Sequence, residues 1–198
     1  MSGYRLVSDW AARCGHELAL VVTPSAEEPI RRYGSDQNPL AEQVPDLGRP
    51  CLPTDQLVAI AAPAVAAVQP HLVISATPPR LIPPELTGIP PYGAVNLHPS
   101  ALPRGRGPNP QRLIYASDRT AGATLQRTAA SFDTGAIMSQ REVPLPEPLS
   151  ARGLRELWAT PLDAVLEEGV SRLLAGDPGV PQDDSLATAA PHFTQGER

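Results

Sequence analysis

Two short, wholly apolar runs constrain this chain more than any other feature: Leu18-Ala19-Leu20-Val21-Val22-Thr23 and Leu72-Val73-Ile74-Ser75. A strand with one wet face alternates apolar and polar residues. A strand covered on both faces is apolar throughout, as in the parallel sheets of α/β proteins. Each run follows a helical pattern. Leu6, Val7, Trp10 and Ala11 fall on one stripe between Tyr4 and Cys14, with Gly15 as the stop. Thr54 opens a second helical stretch toward Gln69; Pro63 imposes a kink or a late start, and Pro70 ends it.

The pattern continues beyond the second run. Gly93-Ala94-Val95-Asn96 reads as a short strand leading into a stiff, proline- and glycine-rich loop from His98 to Pro110. Gln111 to Ser117 reads as a short helix, and Ala123 to Thr128 and Ala136 to Gln140 read as strands. Ser150 opens a long helix with Leu154, Trp158, Leu162, Val165, Leu166, Val170 and Leu173 on one stripe. Pro161 is expected to bend or divide that helix, and Gly176 and Pro178 stop it. The expected architecture is α/β, Rossmann-like, with a mostly parallel sheet flanked by helices. One domain spans 1–198, with an irregular segment over 24–53 and a tail over 177–198. A doubly wound domain normally opens on its innermost strand, yet the first element here is a helix.

Composition removes several chemistries. All 16 basic residues are arginines, so neither a Schiff-base lysine nor a phosphate-loop lysine exists. The formal net charge of −5 comes without a block of like charges, which weighs against a phosphate-gripping nucleic-acid protein. Cys14 and Cys51 have no metal-ligand spacing and read as reduced thiols of a cytoplasmic protein. No apolar run is long enough to cross a bilayer. No glycine-rich turn follows a first strand, so a nucleotide-binding oxidoreductase is excluded.

The chemistry concentrates in Asn96-Leu97-His98-Pro99-Ser100-Ala101-Leu102-Pro103. Residues two apart on a strand share a face, so Asn96 and His98 point to one side at the carboxyl edge of the sheet. An amide donor and an imidazole so placed suit acyl transfer, although a lone histidine beside a proline is more often a packing residue.

The segment Asn96-x-His98-Pro99-Ser100-x-Leu102-Pro103, continued by Arg106-Gly107-Pro108-x-Pro110, resembles the signature loop of the folate-dependent formyltransferases. Gly122-Ala123-Thr124 followed by Phe132-Asp133-Thr134-Gly135 resembles that family's second segment, and Pro181-Gln182-Asp183-Asp184 its domain ending. The resemblance implies a formyl donor, 10-formyltetrahydrofolate, no metal, and an amine acceptor: methionyl-tRNA, an amino sugar or a small amine. It places catalysis on Asn96, His98 and Asp133, and donor contacts on Arg80, Leu81, Ile82, Ala129 and Ala130. Arg104 and Arg106 are either anion contacts or surface charges. The resemblance also implies that the family's first strand, expected between the two apolar runs, is missing from this chain. A formyltetrahydrofolate hydrolase, or a folate-binding module without turnover, are the alternatives.

Overall fold

The computed structural model describes residues 3–25, 48–76, 80–109, 112, 120–146 and 151–191. Helix α1 (Gly3–Cys14) buries the expected stripe, with Leu6, Val7, Trp10 and Ala11 inside. It ends at Gly15, where the His16 amide donates back to the Ala11 carbonyl at 2.8 Å. Strand β1 (Val21–Thr23) pairs in parallel with β2 (Cys51–Pro53), Val21 lying opposite Cys51. Strand β2 corrects the expectation of irregular chain through Pro53. Its three residues close on Pro53, too short a signal beside two prolines to read as a strand.

A π-helical turn (Leu57–Ala61) leads into α2 (Ala62–Val68), where Pro63 occupies the first turn, the one place a helix tolerates it. Strand β3 (Val73–Ala76) is followed by the short helix α3 (Pro84–Thr87) and by β4 (Ala94–His98). The strand thus extends through His98, where sequence placed the start of the loop. Strands β5 (Thr120–Arg127) and β6 (Ile137–Pro144) complete the sheet, and α4 (Ala151–Leu174) packs across it. The predicted helix at 111–117 falls almost wholly outside the described residues.

Helix α4 is not divided at Pro161. The cost of an interior proline, about 3 kcal/mol, is met by packing on both sides of it. Leu154 and Trp158 bury against Ala121, while Val165, Leu166, Val170 and Leu173 join Val95, Leu125, Met138 and α1 in the main core.

Four strands run in the order β3-β4-β5-β6, parallel between β3 and β4 and antiparallel thereafter. Strands β1 and β2 form a separate pair. Among the described residues no ladder joins β1 to β3, although both present apolar residues to the same space. A cavity of about 970 Å³ lies there, lined by Leu18, Leu20 and Val22 and by Leu72, Ile74 and Ala76. The buried hydroxyl of Ser75, on β3, has no partner. No helix among the described residues is long and apolar enough to cross a membrane.

Candidate active site

Strand β4 supplies the first two groups. Asn96 and His98 alternate onto one face, and the antiparallel register sets Gln126 of β5 opposite Asn96 and Thr124 opposite His98. Residues directly opposite in such a pair share a face, so the amide of Gln126 joins that of Asn96. The β5–β6 connection brings in the third group. Asp133 sits in that connection in the left-handed region, at φ 57°, and is 8% exposed. Two residues on, a Cβ at Gly135 would stand 1.7 Å from the Arg127 carbonyl oxygen, so only glycine lets the connection close.

The Asp133 carboxylate is the hub. Its Oδ1 accepts from Gln126 Nε2 at 2.9 Å and Asn96 Nδ2 at 3.2 Å, with His98 Nδ1 at 3.4 Å; its Oδ2 accepts the Gly107 amide at 2.9 Å. The opposite ring nitrogen of His98 lies 2.9 Å from the Gly105 carbonyl. A carbonyl only accepts, so Nε2 carries the hydrogen in this arrangement. One amide hydrogen of Asn96 is used on Asp133, which leaves the second free to donate. Its Oδ1 is buried without a partner. An orphan acceptor beside a carboxylate and an imidazole is a place where a ligand N–H or O–H belongs.

The loop after His98 is held on both sides. A Cβ at Gly122 would meet the Ala101 backbone at 2.1 Å, so the loop lies directly on β5 there. From the other side the tail grips it: the Gly105 amide donates to Thr188 Oγ1 at 2.9 Å, and Asn109 N to the Ala190 carbonyl at 2.9 Å. Arg106 donates to Gln182 and Asp184, and Arg104 lies 3.4 Å from Glu142, so both make intramolecular contacts.

A narrow recess of about 30 Å³ opens beside the cluster. Arg80, Leu81, Ile82 and Ala129 line it together with Asn96 and Asp133, whereas Ala130 is exposed and does not. Arg80 also reaches Asp55, with Nη1 donating to its backbone carbonyl at 3.1 Å. The Asp55 carboxyl is held below its usual range, first by the Ser25 hydroxyl and less by Arg80. Ser75, Arg80 and Ile82 line both the recess and the large cavity behind it.

Sequence reasoning missed Gln126 and Gln182. Gln126 lies in a strand with other polar side chains, Thr120, Thr124 and Arg127, and only the β4–β5 pairing that sets it opposite Asn96 marks it out. Gln182 belongs to the Pro181-Gln182-Asp183-Asp184 ending, but that resemblance gives it no role, and only the folded tail brings it to the cluster.

A model of the family described as "Formyl transferase" matches residues 14–161 of this chain. Methionyl-tRNA formyltransferase of Roseiflexus castenholzii is 35% identical over 191 residues, covering 93% of this chain and 58% of the relative. The chain spans about half the length of the curated relatives it matches, from 42% to 60% in three of them. Among solved structures, glycinamide ribonucleotide transformylase 1 of Symbiobacterium toebii superposes with a TM-score of 0.71 at 23% identity, covering 92% of this chain and 91% of that one. HypX of Aquifex aeolicus in complex with tetrahydrofolic acid gives 0.66 at 20% identity, over 89% of this chain and 30% of that one. Identities this low speak for the fold alone.

Proposed function

The chain belongs to the formyltransferase family, and on that premise we propose that it moves a formyl group from 10-formyltetrahydrofolate to a primary amine. The observation that carries the reading is the convergence of Asn96, His98 and Asp133 in one buried cluster beside a recess. In the proposed step the amine nitrogen attacks the formyl carbon, and the carbonyl oxygen becomes an oxyanion. The free amide hydrogen of Asn96 donates to that oxygen as its charge grows. The amine loses a proton toward His98 or Asp133, the bond from carbon to folate N10 breaks, and N10 takes up a proton. His98 gives up its contact with the Gly105 carbonyl, so that Nε2 is free to take the proton while a hydrogen on Nδ1 faces Asp133. Asp133 keeps the imidazole in line.

The donor is proposed to lie against Arg80, Leu81, Ile82 and Ala129, with Ala130 at the exposed end of that loop. The recess is small, so ring entry parts the segments 80–82 and 129–132. Methionyl-tRNA is the first acceptor to test, because the matched relatives carry that name; amino sugars and small amines follow. A second reading, folate binding without turnover, draws on the cavity that separates β1 from β3.

His98→Ala and Asp133→Asn are expected to lower transfer by about a hundredfold or more, the scale of losing a group aimed at the transition state. Unchanged transfer in both would overturn the roles. Donor binding without transfer in the unaltered chain, read as a thermal shift that grows with folate concentration, would select the second reading.

A further inference from the structure

A run of side-chain amides behind the cluster has one permitted polarity. Arg106 offers only donors, and its Nη2 and Nε point at Gln182 Oε1, at 2.8 and 3.2 Å. The oxygen of Gln182 therefore faces Arg106, and its NH2 faces the other way. There it finds three acceptors: the Gly135 carbonyl at 2.7 Å, the Asp133 carbonyl at 3.0 Å and Gln126 Oε1 at 3.1 Å. With its oxygen turned toward Gln182, Gln126 must present its own NH2 to the Asp133 carboxylate, where it makes the 2.9 Å bond. Gln126 is 1% exposed, so bulk solvent does not replace a missing partner at no cost.

We propose that Gln182 is a positioning residue for the Asp133 carboxylate. It acts in two ways: it fixes the orientation of the Gln126 amide, and it clamps the backbone of the left-handed Asp133 turn. The inference rests on the catalytic reading of Asp133 given above. Without the hydrogen bond from Gln182, Gln126 keeps its NH2 on the carboxylate only by leaving its own buried oxygen unpaired, and turning over would set two acceptors face to face. The tail that carries Gln182 is itself tied down. Val180 exchanges two backbone bonds with Ile137, at 2.8 and 2.9 Å, and Arg127 donates to the Asp177 carbonyl at 3.2 Å. The tail is thereby a working part of the site rather than a trailing coil.

The test uses Gln182→Met and Gln126→Met, which keep volume and remove the amides, separately and together, with 10-formyltetrahydrofolate and methionyl-tRNA. Each single variant is expected to lower kcat by about tenfold or more with KM for the donor within about threefold, a loss confined to the transition state. Residues acting in one relay are not additive, so the double variant should be about as slow as the slower single one. A Gln182→Met enzyme with unchanged kcat, or losses that multiply in the double variant, would overturn the relay. Asp133→Asn separates the two layers: if it is inactive while Gln182→Met is fully active, only the relay fails. If Asp133→Asn is fully active, the catalytic reading falls and the relay with it. Should the methionine variants not fold, the unaltered protein decides through nuclear magnetic resonance. The Gln126 side-chain NH2 is expected to exchange slowly with solvent, and fast exchange would overturn the proposal.

Discussion

Filling the space between β1 and β3 with an attached strand should stabilise this protein by several kcal/mol. Helix α1 begins hard against the end of β3, where a Cβ at Gly3 would lie 2.6 Å from that of Ala76. A segment entering α1 through a tight turn therefore comes from beside Ala76, and its strand runs parallel to β3. The proposed perturbation is an added segment of about eight residues, a four-residue Val/Ile strand and a turn, in the size range of ordinary strands. Burying four such side chains gains about 8 kcal/mol at roughly 2 each. Up to eight ladder bonds to the facing sides of β1 and β3 add about 8 more at roughly 1 each. Ordering eight residues costs about 12 at roughly 1.5 each. The balance of about 4 kcal/mol corresponds to a rise in Tm of roughly 8 to 16 °C for a chain of this size. Calorimetry on the extended chain, against a Gly/Ser extension of equal length, measures it directly. Amide exchange should slow at Val73 to Ala76 in the Val/Ile version alone. Equal Tm values for the two extensions would refute the argument, since the gap would then not accept a strand.

Two further perturbations test the local geometry. Gly135→Ala forces a methyl group into the Arg127 carbonyl and should cost more than the usual 0.5–3 kcal/mol of a point change, displacing Asp133 with it; wild-type Tm and activity would contradict this. Asp177 is held below the ordinary carboxylate range by the Gly179 amide first and Arg172 second, and Asp183 by the Ser185 hydroxyl and then its amide. A depressed folded-state value gives stability that is present above the unfolded value and is lost as pH falls through the folded one. Between about pH 5 and pH 2 the tail should therefore loosen, and Asp177→Asn should show a shallower fall in Tm over that window than the unaltered chain.

Those features of the fold that depend on local pattern were legible in the sequence. The stripe on α1, the apolar runs of β1 and β3 and the late start imposed by Pro63 all follow from periodicity and backbone sterics, which act within a few residues. What escaped was decided at longer range. Strand β2 is three residues long and becomes a strand only because the edge of β1 is there to pair with it. Pro161 is a breaker by local rule, yet α4 passes through it because the sheet beneath buries both halves. In each case a tertiary contact outweighed a preference that the isolated segment would have obeyed.

The site divides along the same line. Asn96 and His98 could be placed on one face by counting along a strand, and Asp133 came from the resemblance of a second motif. Neither route gives a role to Gln126 or to Gln182, although the second lies in the motif that resembles the domain ending. The partner of Asn96 is set by the β4–β5 register, and register is a property of two strands rather than of one. At Gln126 the register of β5 against β6 is locally shifted, with Leu125 opposite Ser139 but Gln126 opposite Ile137. Such an irregularity turns a side chain relative to a regular ladder, and here it falls where the amide must reach sideways to Asp133. Ile137, the residue opposite, is also the one that binds Val180 of the tail. The shifted register, the bound tail and the oriented carboxylate thus meet at one point of the sheet, so a change that straightened the β5–β6 ladder would disturb all three together.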